Sequence, residues 1–381
     1  MAKNKKPLLV LFSVVLLDLI GFGLAVPILP YYVKNFVSEG GVELGLLLSI
    51  YAAMQFLMAP FWGRLSDSWG RKKTLLLTMP GNIIGLLILA NANSLWMLFL
   101  GRAISGIFAA NISVATAFVS DLTSEENRSQ GMGLIGAAFG IRFILGPAFG
   151  GILGEQWGLD APFWAAAGLV AINLFYAWQV LEEPEKHHHE RSSLKAALTI
   201  PQVKKVMLSN FFYILALVQL ETLFPLFMKD HFAFSVKQVG YLMASMALFM
   251  AFIQGGLIRR LTKSFGEKKL ILMGCILLSL GFVTLSIPNT WLKLLIPLGL
   301  ATLGRGISQP CFFSFTSFLA DKHNRGVVMG GFQSAASLAR VFGPSLGGLL
   351  YDWNFHSPFY ASSLIFLIVL GLASSFIIKK H

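Results

Sequence analysis

Charge is what this sequence has least of: 13% of its 381 residues are Asp, Glu, Lys or Arg, where a soluble domain carries about a quarter. Together with 55% hydrophobic residues and a mean hydropathy of +0.69, this excludes an ordinary water-soluble domain. Cysteine is nearly absent. Cys275 and Cys311 both lie inside apolar segments, so there is no disulfide framework and no metal-ligand spacing, and both read as small core residues. The apolar runs contain no nucleophile/base constellation, phosphate-binding glycine loop or convincing metal site, so neither an enzyme nor ATP coupling nor a bound cofactor is expected. Alternating ten-residue segments of the membrane β-barrel type are missing as well. The net charge of +12 does not point to nucleic acid, because the basic residues sit in short clusters between apolar runs, as a membrane topology signal does.

What is present is a series of continuous runs rich in Leu, Ala, Gly and Phe. At about 20 apolar residues per spanning helix, they predict twelve transmembrane helices, over 8–33, 43–63, 74–92, 95–120, 129–154, 160–181, 206–228, 236–258, 270–288, 293–319, 326–351 and 357–378. The first run follows Lys3, Lys5 and Lys6, is too long for a signal-peptide core and contains Asp18, so it reads as an uncleaved helix. With the N-terminus inside, 22 Lys and Arg fall in inside segments and four, Lys34, Lys229, Lys237 and Lys293, outside. Cytoplasmic loops retain positive charge, so both termini are expected in the cytoplasm.

The longest polar stretch, 182–204, is the expected cytoplasmic linker between two six-helix bundles, 1–181 and 205–381. Its run His187, His188, His189 reads as a solvated loop tract. Across the linker the chain repeats itself. GRLSDSWGRKK at 63–73 aligns with RRLTKSFGEKK at 259–269, LGRAIS at 100–105 with LGRGIS at 303–308, and ILGPAFGG at 144–151 with VFGPSLGG at 341–348. Three pairs in one order indicate an internal duplication, and two bundles that both begin in the cytoplasm form a parallel repeat about an axis along the membrane normal.

These residues carry a family resemblance over essentially the whole chain. GRLSDSWGRKK resembles the signature loop between helices 2 and 3 of the major facilitator superfamily. LLDLIGFGLAVPILP, IYAAMQFLMAP, LGRAISGIFAANISVATAFVSDLTS and ILGPAFGG resemble segments of its twelve-helix drug/proton antiporter branch, particularly the tetracycline-efflux transporters. The resemblance implies an all-α integral membrane protein with twelve helices in two bundles related by pseudo-two-fold symmetry. It also implies a gating role for the 63–73 loop, where Asp67 and Arg71 would hold the cytoplasmic side shut in one state. From the residues alone, Gly63 and Gly70 permit a tight turn or close helix approach, and the loop also reads as a plain positive-inside stop signal. The second copy has Lys263 and Glu267 in place of Asp67 and Arg71, so any latch there needs different pairs. Gly146 and Pro147 stand in the glycine-rich fifth span, where small residues permit close packing and proline a kink.

Ionisable residues inside apolar runs are the sharpest signal. Asp18, Arg102, Arg142, Glu221, Arg305 and Arg340 each cost about 2.5–3.5 kcal/mol at mid-membrane on insertion scales. They read either as structural ion pairs and snorkelling arginines or as the lining of a cavity; Arg102, early in its span, is expected nearest the outer interface. Helical spacing puts Arg305, Gln309 and Phe312 on one face, Gln333 and Arg340 on another, and Tyr213 and Glu221 on a third. Buried carboxylates titrate nearer neutrality, so Asp18 and Glu221 are the expected proton-coupling groups. By resemblance Arg102 matches the helix-4 arginine tied to proton transfer. Arg142, Arg305 and Arg340, with Gln55, Gln309, Gln333, Tyr213 and Phe312, are the expected substrate contacts. Four arginines against two carboxylates favour a substrate with an acidic group.

The expected function is a proton-coupled antiporter that exports a small amphipathic organic compound by alternating access, from a bacterial-type inner (plasma) membrane. Protons, a small-molecule substrate and the lipid bilayer are its expected partners, and the monomer its expected state. A carrier of a metabolite anion or carboxylate siderophore is the alternative, and a non-transporting membrane sensor the alternative of another class.

Overall fold

The structure, a computed structural model, describes residues 5–109, 111–123, 128–184, 201–288, 290–319 and 325–377; His187, His188 and His189 lie outside them. Every regular element among the described residues is helical. Eight helices are long and apolar enough to cross a membrane, and two shorter apolar helices, Leu95–Ile107 and Ser113–Leu122, cover most of the expected fourth span. Helices Glu267–Thr284, Trp291–Phe318 and Arg325–Trp353 occupy three further expected spans. Each expected run is thus helical, as a buried apolar segment must be to satisfy its own backbone.

Three places depart from single straight rods. The first helix, Lys5–Ala25, ends before Pro27 and resumes as Leu29–Val33 with Pro30 in its first turn, the one helical position where a missing N–H costs little. The fourth span breaks between Ile107 and Asn111. Helix Val236–Phe252 runs through a π turn, Ile253–Leu257, into Ile258–Phe265.

The duplicated loop is a duplicated backbone feature. Helix Gly41–Trp69 meets helix Arg71–Ala90 at Gly70, with φ 121° and ψ 150°. Ile258–Phe265 meets Glu267–Thr284 at Gly266, with φ 75° and ψ 154°. Only glycine takes such a conformation without a steric penalty, which accounts for glycine in both copies. Gly63 departs from the expectation, because it lies in mid-helix with nothing within 4 Å of where a Cβ would be. It provides neither the turn nor a close contact.

By contact the chain divides into two units. One comprises Met1–Gly40, Leu47–His189 and Ala233–Ser245; the other comprises Gly41–Leu46, Glu190–Phe232 and Met246–His381. In the first unit, helix Lys5–Ala25 crosses helix Arg128–Trp157 where Gly23, Gly146 and Gly150 remove side-chain bulk: a Cβ on Gly146 would lie 2.6 Å from the Cα of Gly23. Asn173 donates to the carbonyl of Val14 at 2.8 Å and ties helix Ala161–Val180 to the same first helix. In the second unit the place of such contacts is taken by Gly274 and Gly304, with Ser308, between Glu267–Thr284 and Trp291–Phe318. Asn210 donates to the carbonyl of Phe332 at 2.8 Å and joins helix Pro201–Phe232 to Arg325–Trp353. Lipid offers no hydrophobic drive for helix association, so small residues and interhelical hydrogen bonds of this kind hold the bundles together.

Candidate functional site

Each unit has its own group of charges within apolar helices. In the first, the Gly23/Gly146 crossing lets Arg142 reach across helix Lys5–Ala25, and its guanidinium carbon sits 4.3 Å from the Phe22 ring centre and 5.0 Å from that of Phe143. Arg102, on helix Leu95–Ile107, lies 5.8 Å from the Phe22 ring and 5.4 Å from that of Tyr51. Phe22 and Tyr51 themselves touch, with centroids 5.0 Å apart. Two guanidiniums therefore pack against one aromatic pair, and Asp18 acts electrostatically on the Tyr51 hydroxyl. Arg102 is 2% exposed, and its Nε and Nη2 have no hydrogen-bond partner among the described residues. Arg102 is thus enclosed by its own unit. Cation–π contact of about 2 kcal/mol per desolvated pair offsets only part of the desolvation of such a group.

The second unit holds the counterpart. Arg305 Nη1 bonds Glu221 Oε1 at 2.6 Å, with side chains 21% and 36% exposed. Arg305 Nε donates to Gln309 Oε1 at 3.2 Å, one turn along the same helix. Arg340 feels Glu221 as an attractive charge and Arg305 as a repulsive one. Here the carboxylate is paired directly with one guanidinium. The equivalence of Arg102 and Arg305 follows the LGRAIS/LGRGIS repeat, so the duplication extends from backbone to charge.

The 63–73 loop is a bonded network inside the first unit. Arg71 pairs with Asp67 at 2.7 Å and, through Nε, with Asp121 at 2.8 Å. Its Nη1 also donates to Ser66 Oγ at 2.6 Å. The Glu183 carboxylate accepts from the backbone N–H groups of Arg71 and Lys72 and so caps helix Arg71–Ala90. Asp121 and Glu183 are the participants that spacing did not single out. Their signal was thin: one acidic residue at the end of the fourth span and one at the edge of the linker. In the second copy Glu267 instead accepts from Ser314 Oγ at 2.7 Å, so the two loops are held by different chemistry, as the substitutions at 263 and 267 required.

The remaining candidates are dispersed. Gln55 donates to the carbonyl of Ala109 at 3.0 Å, and Trp62 Nε1 to that of Ile107 at 2.6 Å. Both satisfy acceptors set free by the break in the fourth span, so the Gln55 amide proton is spent on structure. Tyr213 and Phe312 are each 1% exposed, in tilted contact with centroids 5.3 Å apart, and the Tyr213 hydroxyl shares a 2.8 Å hydrogen bond with Ser308. Both lie in the core of the second unit. Gln333 is exposed on helix Arg325–Trp353. Gly146 and Pro147 are buried at the crossing with Gly23, and the Pro147 carbonyl lies against Gly240. Among the described residues no group of three or more His, Cys, Asp or Glu is placed to hold a metal.

Comparison with known proteins gives one consistent result. A family model described as the Major Facilitator Superfamily matches residues 11–344 and 206–381. The chain is 33% identical over 369 residues to the class C tetracycline resistance protein of Escherichia coli, covering 92% of each. It is 29% identical over 393 residues to multidrug resistance protein 2 of Bacillus subtilis (strain 168), covering 100% of this chain and 97% of the relative. Among solved structures, the human organic anion transporter MFSD10 (TETRAN) superposes with a TM-score of 0.73 at 26% identity, over 98% of this chain and 100% of that one.

Proposed function

The chain belongs to the Major Facilitator Superfamily and is therefore a multi-pass membrane transporter of the inner-membrane type, not an enzyme; from that premise we propose that it is a proton-coupled antiporter exporting small amphipathic organic compounds that carry an acidic group. The observation that carries this reading is a set of guanidiniums inside apolar helices, Arg102 and Arg142 packed on the Phe22 ring in one unit and Arg305 paired with Glu221 in the other. Lipid does not solvate such guanidiniums, and an acidic substrate group is a fitting partner for them. The names of its relatives, tetracycline and multidrug resistance proteins and an organic anion transporter, favour a drug-like organic cargo. On this reading Asp18 carries the proton, with Arg102 and Arg142 beside it. Bundles 1–181 and 205–381 alternate access about the linker 182–204, both termini are cytoplasmic by the bias of basic residues, and the monomer is the working unit.

The test is flux in proteoliposomes. An imposed pH gradient should drive uptake of an acidic aromatic compound against its concentration, and adding that compound to loaded vesicles should move protons the opposite way. Flux that ignores the gradient removes proton exchange. Flux that follows the gradient and persists undiminished in Asp18→Asn assigns the proton to another group.

A further inference from the structure

The two copies of the duplicated loop differ in how their positive charges are met. In the first, Asp67 and Asp121 pair with the Arg71 guanidinium, and the Glu183 carboxylate accepts from the backbone N–H groups of Arg71 and Lys72. In the second, Arg259, Arg260, Lys263, Lys268 and Lys269 stand with one acid, Glu267, and its carboxylate accepts from Ser314 Oγ. All five basic residues are exposed, and Arg259, Arg260, Lys263 and Lys269 enter no ion pair among the described residues. Helical spacing sets Arg259, Arg260 and Lys263 on one face of helix Ile258–Phe265 and Ile258, Leu261 and Phe265 on the opposite one. No residue of this helix is buried, and Phe265 is 46% exposed. The helix ends a membrane span that begins at Val236. A bare basic face opposite a half-exposed apolar one, at the end of a span, is an arrangement that settles in a headgroup layer.

We infer that segment 259–269 is a docking site for the headgroup of an anionic phospholipid, a role that the first copy of the loop does not share. The Arg259 and Arg260 guanidiniums and the Lys263 ammonium take the lipid phosphate, Lys269 adds charge beyond the Gly266 turn, and the Phe265 ring enters the acyl boundary. In the first copy carboxylates of the protein itself occupy the place that the lipid phosphate takes in the second. The inference concerns the lipid around the chain and is independent of what the chain carries.

The experiment is native mass spectrometry of the purified full-length chain in detergent, titrated with dioleoylphosphatidylglycerol, with dioleoylphosphatidylcholine, and with the former in the presence of excess inorganic phosphate. Wild type should hold its tightest-bound phosphatidylglycerol about tenfold or more tighter than phosphatidylcholine. Each basic residue at a headgroup surface is worth a factor of about five, so Arg259→Gln/Arg260→Gln should weaken phosphatidylglycerol about 25-fold and leave phosphatidylcholine unchanged. Arg259→Lys/Arg260→Lys keeps both charges and should stay within about fivefold of wild type. Lys72→Gln/Lys73→Gln removes the same charge from the first copy and should shift phosphatidylglycerol by less than about threefold, since distant exposed charges act through screening solvent. If that variant weakens the lipid as much as Arg259→Gln/Arg260→Gln does, binding follows net charge and the inference falls. It falls as well if wild type holds the two lipids alike, or if inorganic phosphate displaces phosphatidylglycerol, which makes the site one for the free anion. Gradient-driven flux is read separately in vesicles, so this inference and the transport reading fail independently.

Discussion

Gly146→Ala tests whether the crossing of the first and fifth spans is what delivers Arg142 to Phe22. A Cβ at this position would sit 2.6 Å from Gly23 Cα, 2.7 Å from its carbonyl carbon and 3.1 Å from its oxygen. All three are backbone atoms, so no rotamer change relieves them. Ordinary contact begins at 3.4 Å, which means that helices Lys5–Ala25 and Arg128–Trp157 must part by about 0.8 Å. Overpacking of this kind costs about 1–3 kcal/mol. The control is Gly136→Ala on the same helix, where a Cβ meets nothing within 4 Å. Both variants gain the same helix propensity, about 1 kcal/mol, so the difference between them isolates the crossing. Thermal denaturation of the purified proteins in detergent should show Gly136→Ala at or above wild type and Gly146→Ala below it. Moving the helices apart also draws the Arg142 guanidinium away from the Phe22 ring, now 4.3 Å distant, so transport by Gly146→Ala should fall even at temperatures where it is folded. If the two variants melt together and transport alike, the crossing is not the organising contact and the reasoning from glycine packing is wrong.

Three further outcomes are expected. Asp121→Asn weakens the Nε partner of Arg71 in a pair whose side chains are 13% and 5% exposed and should cost about 1–3 kcal/mol; Asp67→Asn, at a side chain 44% exposed, should cost under about 1 kcal/mol, and chemical denaturation that ranks them the other way would contradict the network. Trp62→Phe leaves the Ile107 carbonyl without its indole donor and should destabilise by about 1–3 kcal/mol, with faster hydrogen exchange around the break in the fourth span; unchanged exchange there would mean that the indole does not hold the break. His356, in the turn before the last helix, is held below its ordinary 6.5 by burial and then by the charge of His231. The native state therefore binds this proton less readily than the unfolded chain, and stability is complete above pH 6.5 and declines as pH falls below it. His356→Phe should flatten that decline, and an equally steep slope in the variant would remove His356 as its source.

Much of the fold was legible because hydropathy is a property of runs. The apolar segments, the interruption of the first helix at Pro27 and Pro30 and the turn at Gly70 each follow from residues adjacent in sequence. The break in the fourth span was not legible. No proline marks Ile107 to Asn111, and the donors that make the break tolerable, Trp62 and Gln55, come from another helix. The surroundings of Arg102 were not legible for the same reason: its position early in a span says nothing of the rings of Phe22 and Tyr51 brought against it.

What the sequence determined by itself is that the chain lives in lipid, as helices, in two related halves, with a few charges that must be accounted for. Transfer free energy sums along a segment without regard to what lies beside it. Only the tertiary structure decided which charges meet. Arg71 with Asp121, Glu221 with Arg305 and Arg142 with Phe22 depend on the rotation of each helix and on approaches of a few ångströms between residues distant in sequence. Electrostatic energy in a medium of low dielectric changes steeply over such distances.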